Sequence, residues 1–195
     1  MAIDVHILKE LRERTSASLH ECRKALADTG GNLEDAIKRI EKSLGAQAAK
    51  KSSRELKSGV IDTYIHSGGK IGVMVEVFSE TDFVARNEVF KAFVHDIAMH
   101  IAAVSPLYVK MEDIPEEVIL VQRRAFEEET KALDKPSHLV PQIVEGKIKS
   151  YFEALSLLTQ SYVKNPDKTV GDYLNEVIGK FGENIKIGKF SRFEL

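Results

Sequence analysis

Apolar residues recur at intervals of three and four through the first 45 positions, and that period predicts three short helices. The first carries Ile3, Ile7, Leu8 and Leu11, with Arg12 and Arg14 near its end. The second begins at Ser18, whose side chain can cap it, and Glu21 three residues on completes a capping box. It offers Leu19, Cys22 and Leu26 to a core and stops at Gly30-Gly31. Asn32 caps the third, where Leu33, Ala36, Ile37, Ile40 and Leu44 form a stripe that Gly45 is expected to end. So short a helical segment buries little apolar surface, which favours a binding role. Gln47 to Lys57 reads as a solvated tether rich in Ala, Lys, Ser and Arg.

The period then switches to two. Val60 to His66 and Ile71 to Phe78 are rich in strand formers and flank Ser67-Gly68-Gly69-Lys70, a hairpin turn. Ile71, Val73, Val75 and Val77 share one face, which is expected to be buried, and Gly72 leaves room for a close neighbour. Next comes Ser79-Glu80-Thr81-Asp82-Phe83-Val84-Ala85-Arg86-Asn87, a polar turn that offers Phe83 and Val84. Two readings compete. In one, Phe83 folds into the core while Thr81 or Asp82 caps a helix. In the other, the turn is a presented tip, a carboxylate beside an aromatic ring, built to enter another protein.

Asn87 is expected to cap a main core helix carrying Phe90, Phe93, Val94, Ile97, Ala98, Ile101 and Ala102, ending at Ser105-Pro106. From Ile114-Pro115 to about Leu158 the pattern predicts an antiparallel helical hairpin. Its first arm has a narrow seam of Val118, Val121, Ala125 and Leu133, as in a protruding coiled coil. Lys135-Pro136 breaks the arms, Ser137 caps the return arm, and Pro141 falls within its first turn. In the tail, Thr169 with Asp172 opens a helix through Val170, Leu174, Val177 and Ile178 to Gly182, and Ile185 to Leu195 reads as a strand. The expected fold is α+β: a small N-terminal three-helix bundle, then an antiparallel sheet packed with helices and carrying the hairpin at about 114–158. Its expected domains are 1–54 and 55–195.

At 195 residues, with 43% hydrophobic and 30% charged, the chain has room for one ordinary domain or a small one plus a medium one. A formal charge of −2 with interspersed signs lacks the basic footprint of a nucleic-acid binder. No signal peptide or membrane span is visible, and the lone Cys22 fits a reducing cytoplasm. The pattern carries no nucleophile with a positioned base, no paired catalytic carboxylates and no phosphate-binding loop, so neither enzyme chemistry nor a cofactor is expected. His20-Glu21 opens like a zinc-protease motif, but Lys24 stands where the second histidine belongs. His95 and His100 lie on different helix faces. A structural or surface role is expected for every histidine.

Thr81-Asp82-Phe83-Val84-Ala85-Arg86 straight after a Val-rich strand resembles the signature of the bacterial elongation factor Ts family. Leu11-Arg12-Glu13-Arg14-Thr15 through Cys22-Arg23-Lys24-Ala25-Leu26 follows that family's N-terminal module, a three-helix bundle resembling ubiquitin-associated domains. The family's usual Gly-Ala-Gly before the second helix is here Ser16-Ala17-Ser18, and serine caps at least as well as glycine. Ala132 to Pro136 and Val144 to Lys149 are similar to the turn and return arm of its coiled-coil insertion, and Phe190-Ser191-Arg192-Phe193-Glu194 to its closing segment.

The resemblance implies a guanine-nucleotide exchange factor, acting by binding, for the translational GTPase elongation factor Tu. The residues at Asp82 and Phe83 would enter the GTPase domain and disturb its Mg²⁺ and phosphate side, while Thr81 and Val84 hold the tip in shape. Arg12, Leu19 and His20 would grip a helix of the GTPase domain, with His20 replacing the methionine common there. His66 falls where the family's core meets a later domain of the partner. Longer relatives carry the core twice, so two copies of this short form are expected to pair. The two alternatives are a small hydrolase and a passive helical adaptor using residues 1–54.

Overall fold

A computed structural model describes residues 4–15, 17–132, 136 and 138–195. In chain order the elements begin with α1 (Val5–Thr15), α2 (Leu19–Asp28) and α3 (Leu33–Lys51). Then come β1 (Ser58–Ile65), β2 (Ile71–Ser79), α4 (Asp82–Ala85) and α5 (Glu88–Val104). They continue with α6 (Glu116–Ala132), α7 (Val140–Leu155), β3 (Ser161–Tyr162), β4 (Asn165–Thr169), α8 (Val170–Phe181) and β5 (Ile185–Glu194). The chain divides into two compact units, Met1–Ala102 with Gly171–Leu195, and Ala103–Val170. The expected module 1–54 lies inside the first unit and the expected hairpin inside the second.

In the first unit, α1, α2 and α3 close on a core of Leu8, Leu11, Cys22, Ala25, Leu26, Ile37, Ile40 and Leu44. Ser18 caps α2 with the full capping box: its hydroxyl accepts from Glu21 N, and the Glu21 carboxylate accepts from Ser18 N. Asn32 caps α3 by accepting from Asp35 N at 3.1 Å. Gly45 does not end α3, which runs on to Lys51 and takes up half of the expected tether. Glycine inside a helix costs only about 1 kcal/mol, and buried Leu44 and Ala48 carry the apolar stripe across it. Ile3 and Ser16 lie outside the described residues.

The sheet order is β1-β2-β5, antiparallel throughout, with a register shift in the β2-β5 pair between Val75 and Val77. Val73, Val75, Val77, Ile185 and Ile187 line its buried face, and Ile71 is only partly covered. Ile65 Cδ1 would lie 3.0 Å from a Cβ at Gly72, the close neighbour that the glycine admits. Every apolar residue expected to face the core from α5 is buried, and fully buried Phe90 and Phe93 contribute roughly 1.5–3 kcal/mol each. Their rings meet Phe181 and Tyr173 of α8 edge-on. Asn87 opens α5 by accepting from Val89 N at 2.8 Å, and the helix stops at Ser105, where φ is 55°. Arg192 of β5 donates from Nε and Nη2 to the Ala102 carbonyl, tying the last strand to α5. The opposite sheet face is open: Ile61, Ile65, Met74 and Phe193 are each more than half exposed.

In the second unit, α6 and α7 pack as a helical hairpin around Ile114, Val144, Ile148 and Phe152. The expected seam on α6 is corrected. Val118 and Val121 are exposed, and so is Ala125, while Ile119, Gln122, Arg123, Phe126 and Thr130 turn inward. The stripe still has helical spacing, but three of these five residues are polar. The Arg123 stem lies inward while its guanidinium pairs with Glu145, and Lys147 sits over the Phe126 ring at 5.6 Å. Pro141 falls in the first turn of α7, and Leu139 occupies its N-cap position. Leu133, Asp134, Lys135 and Ser137 lie outside the described residues. A short hairpin, β3 with β4, occupies 161–169, where no strand was expected.

Candidate functional site

The stretch after β2 folds as the single-turn helix α4, with Thr81 at its N-cap in an extended conformation. The reading in which Phe83 folds into the core holds only in part. Thr81 does cap a helix, its hydroxyl accepting from Val84 N at 3.4 Å, yet Phe83 does not fold inward. Phe83 is 79% exposed, whereas Val84, next in the chain, is 3% exposed and anchors the turn. Consecutive side chains on a helical turn point about 100° apart, so one apolar residue secures the tip and the other is displayed. Asp82 faces solvent and pairs with Arg86 one turn on at 3.1 Å. Asp82, Phe83, Arg86 and Asn87 line a shallow open concavity.

The base of the tip is pinned by polar contacts. Ser79 Oγ donates to the Thr81 carbonyl at 2.9 Å. Glu183, in the loop between α8 and β5, accepts from Thr81 N at 3.1 Å and from Thr81 Oγ1 at 2.6 Å. Beside it, Asn184 N donates to the Glu80 carboxylate, which also pairs with Arg54 at 3.4 Å. The Asn184 amide donates in turn to the carbonyls of Ser52 and Arg54, just past α3. Nothing in the sequence marked Glu80, Arg54, Glu183 or Asn184. They are ordinary polar residues in loops, and the Thr81–Glu183 contact spans 102 positions, beyond any local periodicity.

Arg12, Leu19 and His20 are all exposed on the three-helix part. Leu19 sits one turn before buried Cys22 on the same side of α2, and the Arg12 charge acts on the Cys22 thiol. Burial pushes that thiol up, outweighing a hydrogen bond with Thr15. Glu21 is held below the usual carboxylate range chiefly by the Ser18 hydroxyl, with smaller help from Gln47 and the His20 charge. His66 lies apart from the tip. It follows β1 at the hairpin end, whereas the tip follows the opposite end of β2, about 25 Å away along an eight-residue strand. His66 Nδ1 is 3.3 Å from the Tyr64 hydroxyl, and His95, stacked edge-on to Tyr64, pairs with Asp62 at 3.0 Å. His100 is fully buried.

Among the described residues no group of three or more His, Cys, Asp or Glu is arranged to hold a metal ion. No helix among them is long and apolar enough to cross a membrane. The arrangement instead offers a displayed aromatic and a lightly held carboxylate on a braced turn.

Comparison with known proteins gives this arrangement a context. The family model described as Elongation factor TS matches residues 2–195. The Elongation factor Ts of Geobacter sp. (strain M21) is 48% identical over 195 residues, covering 100% of this chain and 90% of the relative. That of Desulfosudis oleivorans is 45% identical over 193 residues, 99% of this chain and 98% of the relative. That of Carboxydothermus hydrogenoformans is 47% identical over 193 residues, 99% and 89% of the two chains. A family match from the second residue to the last, with near-full coverage of relatives at this identity, is decisive: the chain belongs to the elongation factor Ts family, whose name marks a role in translation elongation.

Proposed function

We propose that this chain is a guanine-nucleotide exchange factor that binds elongation factor Tu with GDP bound and promotes GDP release, allowing GTP to reload. The observation that carries this reading is the display of Phe83, 79% exposed, on a turn whose next residue is buried. An exposed aromatic on a braced turn is a ready anchor, and losing such an anchor from an interface costs more than about 2 kcal/mol. Among the described residues Asp82 pairs with Arg86, across two exposed side chains. Such a pair is worth little, so the carboxylate can exchange that partner for groups near the Mg²⁺ of the GTPase.

No covalent chemistry is needed. A factor that binds the emptied GTPase better than the loaded one must weaken nucleotide by the same factor. Asp82 and Phe83 act at the Mg²⁺ and phosphate side, Thr81 and Val84 keep the tip in shape, and Arg12, Leu19 and His20 grip the GTPase domain. Residues 1–54 form a module like a ubiquitin-associated domain, and α6 with α7 form the coiled-coil insertion. His66 is a contact of the core with a later domain of the partner. The factor works in the cytoplasm without a cofactor, and without contacting nucleic acid or membrane. Two copies pair, a reading supported by one sheet whose outer face leaves Ile61, Ile65, Met74 and Phe193 exposed.

The test is stopped-flow release of a fluorescent GDP analogue from elongation factor Tu. The unaltered chain should speed release by orders of magnitude. Asp82→Ala with Phe83→Ala should lose most of that while melting at an unchanged temperature. No acceleration by the unaltered chain would refute exchange for this partner, and equal activity of the double variant would move the site elsewhere.

A further inference from the structure

A four-residue helix cannot hold its own shape. Nucleating a helical turn is unfavourable, so the geometry of α4 must be imposed by tertiary contacts. One contact is apolar, through buried Val84; the other is the double hydrogen bond from Thr81 to Glu183. A threonine hydroxyl has one proton to donate. Glu183 Oε1 accepts it at 2.6 Å, which leaves the oxygen's lone pairs available for Val84 N at 3.4 Å. The carboxylate therefore sets the hydroxyl rotor that caps the helix, and its second oxygen fixes the Thr81 backbone at 3.1 Å. Glu183 is itself held. It follows Gly182, which leaves α8 at φ 73°, and precedes Asn184, bonded to Glu80 and to the carbonyls of Ser52 and Arg54. Two consecutive loop residues thus grip Glu80 and Thr81, immediately before the displayed pair.

We propose that Glu183 is a positioning residue for nucleotide exchange, presetting Asp82 and Phe83 in the geometry that enters the GTPase. This rests on the exchange reading above. Glu183 acts through Thr81 and touches neither Asp82 nor Phe83 in any hydrogen bond described. Without it the tip is a floppy turn that samples the productive geometry only part of the time. Glu183 makes both hydrogen bonds that brace the base of the tip, so without it the saturating release rate should fall about tenfold or more. The concentration giving half-saturation should change far less, because Arg12, Leu19 and His20 are untouched.

The experiment uses the full chain and two variants, Glu183→Gln and Glu183→Ala. The glutamine has the same shape but no charge, and it reaches the Thr81 hydroxyl only by donating its NH₂ to it. That reverses the bond and frees the hydroxyl rotor, whereas the alanine removes both bonds. Stopped-flow release from GDP-loaded elongation factor Tu is measured across factor concentration. Amide hydrogen exchange is followed at Val84, Ala85 and Arg86, with β2 as the internal control. The expected result is a lower saturating rate, similar half-saturation, and faster exchange in α4 with β2 unchanged. A purely structural role would instead lower the melting temperature and loosen β2 together. A wild-type saturating rate for Glu183→Gln overturns the proposal. If Glu183→Ala fails to fold, the glutamine variant alone decides. If the unaltered chain does not accelerate release, the exchange reading fails, and unchanged amide exchange in the variants would separately refute the hold on α4.

Discussion

Phe83 and Val84 are neighbours of similar hydrophobicity with opposite fates, one 79% and the other 3% exposed. Composition cannot separate them, because a single helical turn places consecutive side chains about 100° apart and only the fold decides which side is inward. Capping residues are different, since their geometry is local. Ser18 and Glu21 stand three apart in the sequence and bond reciprocally in the structure. Ser18→Ala should therefore cost about 1 kcal/mol, read as a lower urea midpoint. The loss should also depend on pH. Glu21 titrates below its ordinary value in the folded chain, chiefly because the Ser18 hydroxyl stabilises its ionised form. Its contribution is present above the unfolded carboxylate pKa and is lost as pH falls through the lowered folded value. The gap between Ser18→Ala and the unaltered chain should therefore narrow in acid, and a constant gap would remove Glu21 from the account.

Among the elements, α3 and α6 show where periodicity misleads. A glycine read as a helix end became the middle of α3, because the buried stripe continued through Ala48. On α6 Val118, Leu120 and Val121 point outward, and the inward Ile119 and Phe126 stand among Gln122, Arg123 and Thr130. What glycine does inside a helix is set by its neighbours. A Cβ at Gly179 of α8 would lie 2.7 Å from Leu44 Cδ2 of α3, whereas one at Gly146 of α7 meets nothing within 4 Å. Gly179→Ala should destabilise the chain, as overpacking of about 1–3 kcal/mol outweighs a helix-propensity gain of about 1 kcal/mol. Gly146→Ala should stabilise by most of that gain. Denaturant midpoints of the two variants should shift in opposite directions; equal shifts would mean that α3 does not constrain α8.

For the whole molecule, the proposed pairing of two copies makes the exposed sheet face the place to look. Light scattering at micromolar concentration should give a dimer mass, and Ile61→Lys with Phe193→Lys should reduce it to the monomer without lowering helix content. A monomer mass for the unaltered chain would reject pairing. The amino-acid sequence by itself determined the helices other than α4, the strands β1, β2 and β5, the caps at Ser18, Asn32 and Asn87, the apolar set of α5 and the family, all of which follow from periods of two to four residues or from short motifs. It also located the tip. Tertiary structure alone decided that Phe83 is displayed while Val84 is buried, that α6 packs through a mostly polar stripe, and that Glu183 braces Thr81 across 102 positions. The reason is range: caps and amphipathic stripes are set by contacts within a turn or two. Which side of a turn is covered, and which distant carboxylate meets its base, depends on how β5 and α8 return to the sheet.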